Sequence, residues 1–294
     1  MSDGVSGSPA PATDEARGAA DRAARAAALR IRELSSPADH RAAQDLFVDL
    51  WQANAPAAPV SADLLRSLAH FGGYVAGAEL AGGSALIGAS AGFLGGAGAQ
   101  PYLHSHITGV AAPAQGRGAG YALKLHQRAW AADRGLGSIN WTFDPLQQRN
   151  AVFNLGRLAG RPTQYLVDFY GDMQDGVNAG QGSDRLVVEW PLADDAVVAA
   201  CAGRWSEPAI AELLADRRVL LEVGSAGEPC PGRPAGAGSL LCCIPADIAA
   251  LRRSDPALAI RWRHAVRDTL GAAMADGYAV AGVTRAGWYL LEAP

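Results

Sequence analysis

Short alternating runs of hydrophobic and polar residues recur along the chain, with stretches of helical spacing between them. The alternation over Leu29–Glu33 predicts a first strand. Asp39–Ala53 predicts a helix with Ala42, Leu46, Leu50 and Ala53 on one face. Pro56 and Pro59 break it, and Ser61 is placed to cap a second helix running to His70. Gly73–Glu79 and Ser84–Leu94 read as a strand pair joined by Ala81-Gly82-Gly83, and Tyr102–Val110 as a further strand. Helical spacing returns over Gly118–Arg134, with Tyr121, Leu125, Ala129 and Ala132 in one stripe, and Gly135 ends it. Ser138–Phe143 is a strand, and Asp144-Pro145 reads as the N-cap and first residue of a helix to about Leu158. Tyr165–Tyr170 and Arg185–Trp190 are expected to close the sheet. Between them lies a Gly/Asp/Asn loop whose Asp172, Asp175 and Asn178 miss the calcium-loop spacing. This order predicts an α+β architecture with a mixed central sheet.

A second, smaller α/β module is expected over residues 192–294. Its strands are Val219–Val223, Leu240–Ile244, Tyr278–Thr284 and Trp288–Leu291. Its long helix, Asp255–Ala275, carries Leu258, Trp262, Val266 and Leu270 in one stripe. The element order parallels the later part of the first module but has no glycine loop, so a degenerate internal repeat is one reading of it.

Composition changes this picture at one place. No Asp, Glu, Lys or Arg occurs from Leu80 to Gly116. A membrane helix needs ~20 predominantly apolar residues, yet Leu80–Ala99 is dense in glycine, which suits strands and turns. The run therefore reads as central strands, covered on both faces and with little room for charge. Residues 1–28, rich first in Ser, Pro and Gly and then in Ala and Arg, are expected to be a disordered tail, with a helix toward its end as the alternative. They lack the apolar core of a signal peptide, which points to a cytoplasmic protein. A net charge of −4 gives no footprint for nucleic acid or a membrane surface. Cys201, Cys230, Cys242 and Cys243 form no CxxC pair and read as reduced structural residues. No metal is expected.

The most informative segment is Val110-Ala-Ala-Pro-Ala-Gln115-Gly116-Arg117-Gly118-Ala119-Gly120-Tyr121. A strand running through a glycine turn straight into a helix aims backbone N–H groups at one spot, in front of the positive helix end. Such a spot holds a pyrophosphate. The dinucleotide fingerprint fails because Tyr121 stands where its third glycine belongs, and the P-loop fails because Gly120 is not followed by Lys. What remains is Q-x-x-G-x-G, formed by Gln115, Gly118 and Gly120. In this the chain resembles the GCN5-related N-acetyltransferase (GNAT) superfamily, whose acyl-coenzyme-A loop has that form after its fourth strand. The resemblance spans about residues 29–191 and is strongest from 100 to 160. The segments Trp141–Leu146 and Asp168–Gly176 look like those of long bacterial members with an added C-terminal module. It implies that Gln115, Gly116, Arg117, Gly118, Ala119, Gly120 and Tyr121 hold the coenzyme pyrophosphate. It also implies that Val110 meets the thioester and that Asn150 contacts the coenzyme arm.

In that family an amine attacks the thioester directly within a ternary complex. The family's frequent acid, a Tyr on the helix after strand five, is missing here, where the chain reads Asn154-Leu155-Gly156-Arg157. Tyr165 and Tyr170 are the substitutes, although packing in a strand is their more ordinary role. For a base, His104 and His106 have period two and share a face about 7 Å apart, and imidazole suits proton abstraction near neutrality. A hydrogen-bonded pair of core histidines is the competing reading. Glu79, at the end of its strand, is the runner-up base. Arg149, Arg157 and Arg161 could hold a carboxylate, or form a solvated helix face. The expectation is an acyl-CoA-dependent N-acyltransferase moving an acetyl or succinyl group to a small-molecule amine such as an amino acid. No nucleic-acid or membrane partner is expected, and a homodimer is open. The alternative is a non-catalytic acyl-CoA-binding or scaffold protein.

Overall fold

The computed structural model describes residues 11–53, 58–96, 100–173, 180–234, 236 and 238–294. Residues 1–10, Pro56, Gly98, Asp175 and Asn178 lie outside that set. The chain divides into two compact units, Met1–Ile139 and Asn140–Pro294. The module boundary expected near residue 192 falls within the second.

The first unit opens with α1 (Pro11–Ala26), followed by β1 (Leu29–Glu33). Helices α2 (Pro37–Trp51) and α3 (Ala62–His70) come next, then β2 (Tyr74–Leu80), β3 (Leu86–Gly95), β4 (Tyr102–Val110) and α4 (Ala119–Ala132). β1 to β4 pair antiparallel in chain order. α3 starts where the Ser61 cap was expected, and α2 starts at Pro37, two residues before the expected Asp39, behind a serine cap that the sequence reading did not name. Ser36 and Asp39 form a reciprocal capping box, and Ser61 accepts from the Leu64 amide, each cap contributing about 1 kcal/mol. Phe47 of α2, Leu65 of α3 and Val60 just before α3 are buried against Val75, Ala89, Ala91 and Ile107 of the sheet. Approach is close at Gly109, where a Cβ would come 2.5 Å from a Leu50 methyl, so a larger residue there would have to push that side chain aside. The uncharged run is indeed largely strand, β3 and β4, but Phe93, Leu94 and His106 are exposed, so those strands are not covered on both faces throughout as expected.

The expected disordered tail is corrected from Pro11 onward: α1 is a packed helix with Ala16, Ala19 and Ala20 buried. Its contact face is built from alanines at i, i+3 and i+4, a stripe too weakly hydrophobic to stand out by periodicity. α1 lies against α4, with Glu15 paired to the buried Arg128 and Arg17 to Asp133. The stripe expected on α4 is therefore only part of its buried surface. Leu123, Lys124 and Gln127 face the sheet, where they meet Gly88, Ser105 and Ser90 respectively.

β5 (Ser138–Phe143) carries the chain from the first unit into the second. There follow α5 (Gln148–Ala151), which continues as a π-helical turn over Val152–Arg157, then β6 (Arg161–Leu166) and β7 (Arg185–Pro191). β5, β7 and β6 lie side by side in that order, and β6 pairs with β7 antiparallel. The expected helix start at Asp144-Pro145 is three residues early, since Gln147 is the N-cap and Gln148 the first helical residue. Asp144 caps nothing, because buried arginines have claimed it. The strand expected at Tyr165–Tyr170 ends at Leu166 and turns there.

The remaining elements are α6 (Asp195–Cys201), α7 (Ala211–Ala215), β8 (Val219–Val223), β9 (Pro229–Pro231), β10 (Leu240–Cys243), α8 (Ile248–Ser254), α9 (Pro256–Val266), α10 (Ala272–Ala275), β11 (Ala279–Val283) and β12 (Trp288–Glu292). They build a five-stranded sheet in the order β11-β12-β10-β8-β9, mixed because β8 and β10 run parallel. The expected long helix is α9 and α10 joined by a π turn over Arg267–Gly271. Adjacent Cys242 and Cys243 are both buried, so this sheet is covered on both faces. Burial pushes their thiols up to about 12 and about 11.

Candidate functional site

β4 delivers the chain to the glycine turn as expected. The Ala111 amide still bonds the Ile87 carbonyl at 2.8 Å, and one tight turn over Ala112–Ala114 follows. Gly116 and Gly118 then adopt φ of +77° and +89°, in the region where a Cβ is strained. Gly118 is the N-cap of α4, and the helix's first bond runs from the Ala122 amide to the Gly118 carbonyl. The amides of Ala119 and Gly120 thus have no acceptor within the helix. Among the described residues nothing beyond the chain neighbours lies within 4 Å of a Cβ built at Gly116, and at Gly120 a Val110 methyl stands 3.8 Å away. Gln115, Gly116 and Arg117 are exposed. The Gln115 side chain donates its Nε2 to the Val110 carbonyl at 3.0 Å. Its amide thus ties the turn to the strand end, a shaping role that the resemblance did not imply. Tyr121 is half-buried in the first turn of α4.

His104 and His106 are brought together as expected. Their ring centroids are 6.1 Å apart, and Phe93 lies 4.9 Å from the first and 5.8 Å from the second. A bulge lies at this cluster. Ala91 pairs with Ile107 and Gly92 with Ser105, which leaves His106 with no opposite residue on β3. The extra residue reverses the facing of β4: Ser105 meets Lys124 of α4, whereas Ile107 joins the core under α2 and α3. His106 is exposed and His104 half-buried, so the pair is not a core pair. Partial burial, followed by the charge of His104, lowers the His106 pKa below its ordinary value. The ring is then neutral at pH 7 and can accept a proton.

Glu79 departs from its expected place. It is 1% exposed and receives Arg30 and Arg32 from neighbouring β1, with Arg32 Nε at 2.9 Å. Burial alone would raise its pKa, but the two guanidinium hydrogen bonds outweigh it and hold the carboxylate below the ordinary glutamate range. A carboxylate so neutralised is a strut between strands and a poor base.

Sequence periodicity missed a polar network behind the histidines. The buried Lys124 Nζ donates to Ser105 Oγ at 2.8 Å and to Gln127 Oε1 at 3.2 Å. Gln127 reaches Ser90, whose hydroxyl meets Thr108 at 2.7 Å. Burial pushes the Lys124 pKa down to about 7. The available signal was the i, i+3 pair Lys124 and Gln127 on a helix facing strands that carry Ser90 and Ser105.

In the second unit, Asn150 is exposed on α5. Tyr165 donates its hydroxyl to Asp184 at 2.8 Å. Burial and that carboxylate raise its pKa, so it holds its proton firmly. The Tyr170 hydroxyl meets Thr142 at 3.1 Å. Arg161 pairs with Asp194 at 2.5 Å, and Arg149 and Arg157 also have partners of their own. No tyrosine stands in the π turn over Val152–Arg157, and its Gly156 lies against the Trp205 ring, where a Cβ would come within 2.6 Å. Among the described residues no three His, Cys, Asp or Glu side chains gather as a metal site, and no helix is long and apolar enough to cross a membrane.

No family model and no curated protein matches the chain. Among solved structures it is similar to an N-acetyltransferase from Staphylococcus aureus Mu50, with 15% identity, 56% of this chain and 98% of the other covered, and a TM-score of 0.43. It is also similar to the histone acetyltransferase HPA2 and related acetyltransferase from Corynebacterium glutamicum, with 18% identity, 58% and 99% covered, and a TM-score of 0.41. A third is Arabidopsis thaliana NAA60 in complex with a bisubstrate analogue, with 14% identity, 55% and 98% covered, and a TM-score of 0.44. Likenesses this distant assign no activity to the chain.

Proposed function

We propose that the chain is an acyl-CoA-dependent N-acyltransferase of the GNAT type. It moves an acetyl or succinyl group from coenzyme A to the amine of a small molecule such as an amino acid. The observation that carries this reading is the turn at residues 115–120, where two left-handed glycines feed a helix start whose Cβ positions at Gly116 and Gly120 are open. A coenzyme pyrophosphate suits it: the amides of Ala119 and Gly120 donate, the helix end supplies positive potential, and no carboxylate stands between Leu80 and Gly116 to repel it. Asn150 is assigned to the coenzyme arm and Val110 to the thioester end, as the resemblance implies.

His106 is assigned as the base. Its neutral ring takes a proton from the acceptor ammonium, and the freed amine attacks the thioester carbonyl. The C–N bond forms, the C–S bond breaks, and the acylated nitrogen sheds its second proton to solvent while the leaving thiolate takes one up from solvent, since Tyr165 is engaged with Asp184. His104 sets the electrostatics of that ring, and Glu79 is given no role in the chemistry. Thiol release with acetyl-, propionyl- and succinyl-CoA against a panel of amines tests the reading. Tight coenzyme binding without turnover on any amine would replace it with the non-catalytic binder. His106→Ala is expected to lower kcat/KM by about 10²–10⁴-fold with coenzyme affinity unchanged. In the wild type kcat/KM should rise with pH through a pKa below the ordinary histidine value and level off near neutrality, because only the unprotonated ring accepts a proton.

A further inference from the structure

We propose that Lys124 is a positioning residue that keeps His106 facing outward by fixing the register of β4; its link to catalysis rests on the assignment of His106 as the base. The pairing of β3 with β4 shifts by one residue at this point. Gly88 to Ala91 keep one register and Gly92 to Gly95 another, so His106 is the residue passed over. Without that shift Gly92 would stand opposite His106, and Phe93 opposite Ser105. Residues directly opposite share a face of the sheet, and neighbours along a strand take opposite faces. The regular pairing would therefore turn His106 under α4 and Ser105 away from it.

β3 itself does little to prevent that pairing. Gly88-Ala89-Ser90-Ala91-Gly92 presents no large side chain, and strands so rich in glycine hold register weakly. Hydrogen bonds from α4 supply what is missing. Lys124 Nζ donates to Ser105 Oγ at 2.8 Å, a contact open only to the shifted register. Beyond His106, Ser90 Oγ donates to the Ile107 carbonyl at 3.2 Å and accepts from Gln127 Nε2 at 3.4 Å, while Gln127 Oε1 receives Lys124 at 3.2 Å. The helix thus grips β4 both before and after the extra residue. Glycine at 92 lets the strands close there, since a Cβ would come 2.6 Å from the His104 carbonyl, a backbone atom that cannot step aside. An amine only 5% exposed is a costly way to fill the space beneath a helix, where an apolar chain of similar length would pack. What it gains is the choice of one register over another.

Labelling of the full chain with diethylpyrocarbonate, mapped by mass spectrometry, reads the facing of His106 whatever the activity of the protein. Exposed His70 and buried His40 mark the two ends of the scale. In the wild type His106 should label like His70. Lys124→Met, and Ser105→Ala as the milder change, should move it toward His40, whereas Ser105→Thr keeps the hydroxyl and should leave it exposed. In turnover, Lys124→Met and Ser105→Ala should lower kcat by about tenfold to a hundredfold with KM for the acyl-CoA unchanged, and the loss should be rescued in Ser105→Thr. His106 labelling like His70 in both Lys124→Met and Ser105→Ala would overturn the proposal, as would full kcat with a shielded His106. If the wild type acylates no amine, the acyltransferase reading falls alone, and the labelling still decides whether Lys124 sets the register.

Discussion

Residues 115–120 and residues 144–151 both lead from a strand to a helix, and they handle polar groups in opposite ways. In the first, space is kept open by glycine and the first amides of α4 face it with no carboxylate of their own. In the second, the Asp144 carboxylate is 7% exposed and takes four hydrogen bonds. Two come from Arg263 at 2.6 and 2.8 Å, one from Arg252 at 2.6 Å and one from the Leu146 amide at 3.0 Å. Nothing of it is left for a ligand. Open donors without a built-in counter-charge suit a visiting anion, whereas a saturated buried carboxylate serves the fold.

The largest effect that tests this contrast belongs to the closed site. Asp144→Asn keeps the shape but leaves Arg252 and Arg263 buried without an anion, and should cost about 3–5 kcal/mol of stability, read by urea denaturation. Coenzyme affinity of the folded fraction should stay unchanged. A loss below about 1 kcal/mol would mean that Asp144 behaves like a surface partner.

Acid should expose the same carboxylate. Burial alone would raise its pKa, yet Arg263 foremost, with Arg252, holds it down at about 2. Its contribution is therefore fully present above its unfolded value near 4 and is lost as pH falls through about 2. Stability measured between pH 4 and pH 2 should drop in the wild type, and the drop should be smaller in Asp144→Asn. Equal slopes would remove Asp144 from the acid transition.

At the open site, Gly120→Glu tests whether an anion binds. The glycine has no positive φ and its Cβ has room, so the fold should be retained while a carboxylate enters the expected pyrophosphate position. Like charges there should weaken coenzyme binding by more than about tenfold, and full affinity would displace the phosphates from the turn.

The two segments also show what the sequence could reveal. The turn was legible because everything it needs is local: Gly116, Gly118 and Gly120 in fixed spacing after a strand. The cap Ser61 was legible for the same reason. Asp144-Pro145 carries an equally good local signal for a helix start, and it misled because Arg252 and Arg263 arrive from 108 and 119 positions away. Glu79 failed likewise, since its partners sit opposite on β1 and alternation says nothing of register. The bulge at His106 left no mark either. A one-residue change in pairing depends on both strands, whereas the period-two pair of histidines needed only one. The packing of α1 was missed because alanine supplies a packing face with little hydrophobic contrast.

The smallest effect separates strain from binding. Alanine at Gly116, Gly118 or Gly135 forces a Cβ into the left-handed region, at φ of +77°, +89° and +71°. The space around the new methyl is open at Gly116 and Gly135, and at Gly118 the nearest atom is Ala27 Cβ at an ordinary 3.4 Å. Each substitution should therefore cost about 1 kcal/mol through the backbone alone, giving three similar drops in Tm. Gly135 follows the far end of α4, so Gly135→Ala should leave coenzyme affinity untouched. Gly116→Ala and Gly118→Ala should weaken it, because the same strain there tilts the amides that face the anion. If all three variants bind coenzyme equally, the glycines serve only to turn the chain, and the open space at residues 115–120 is no cradle.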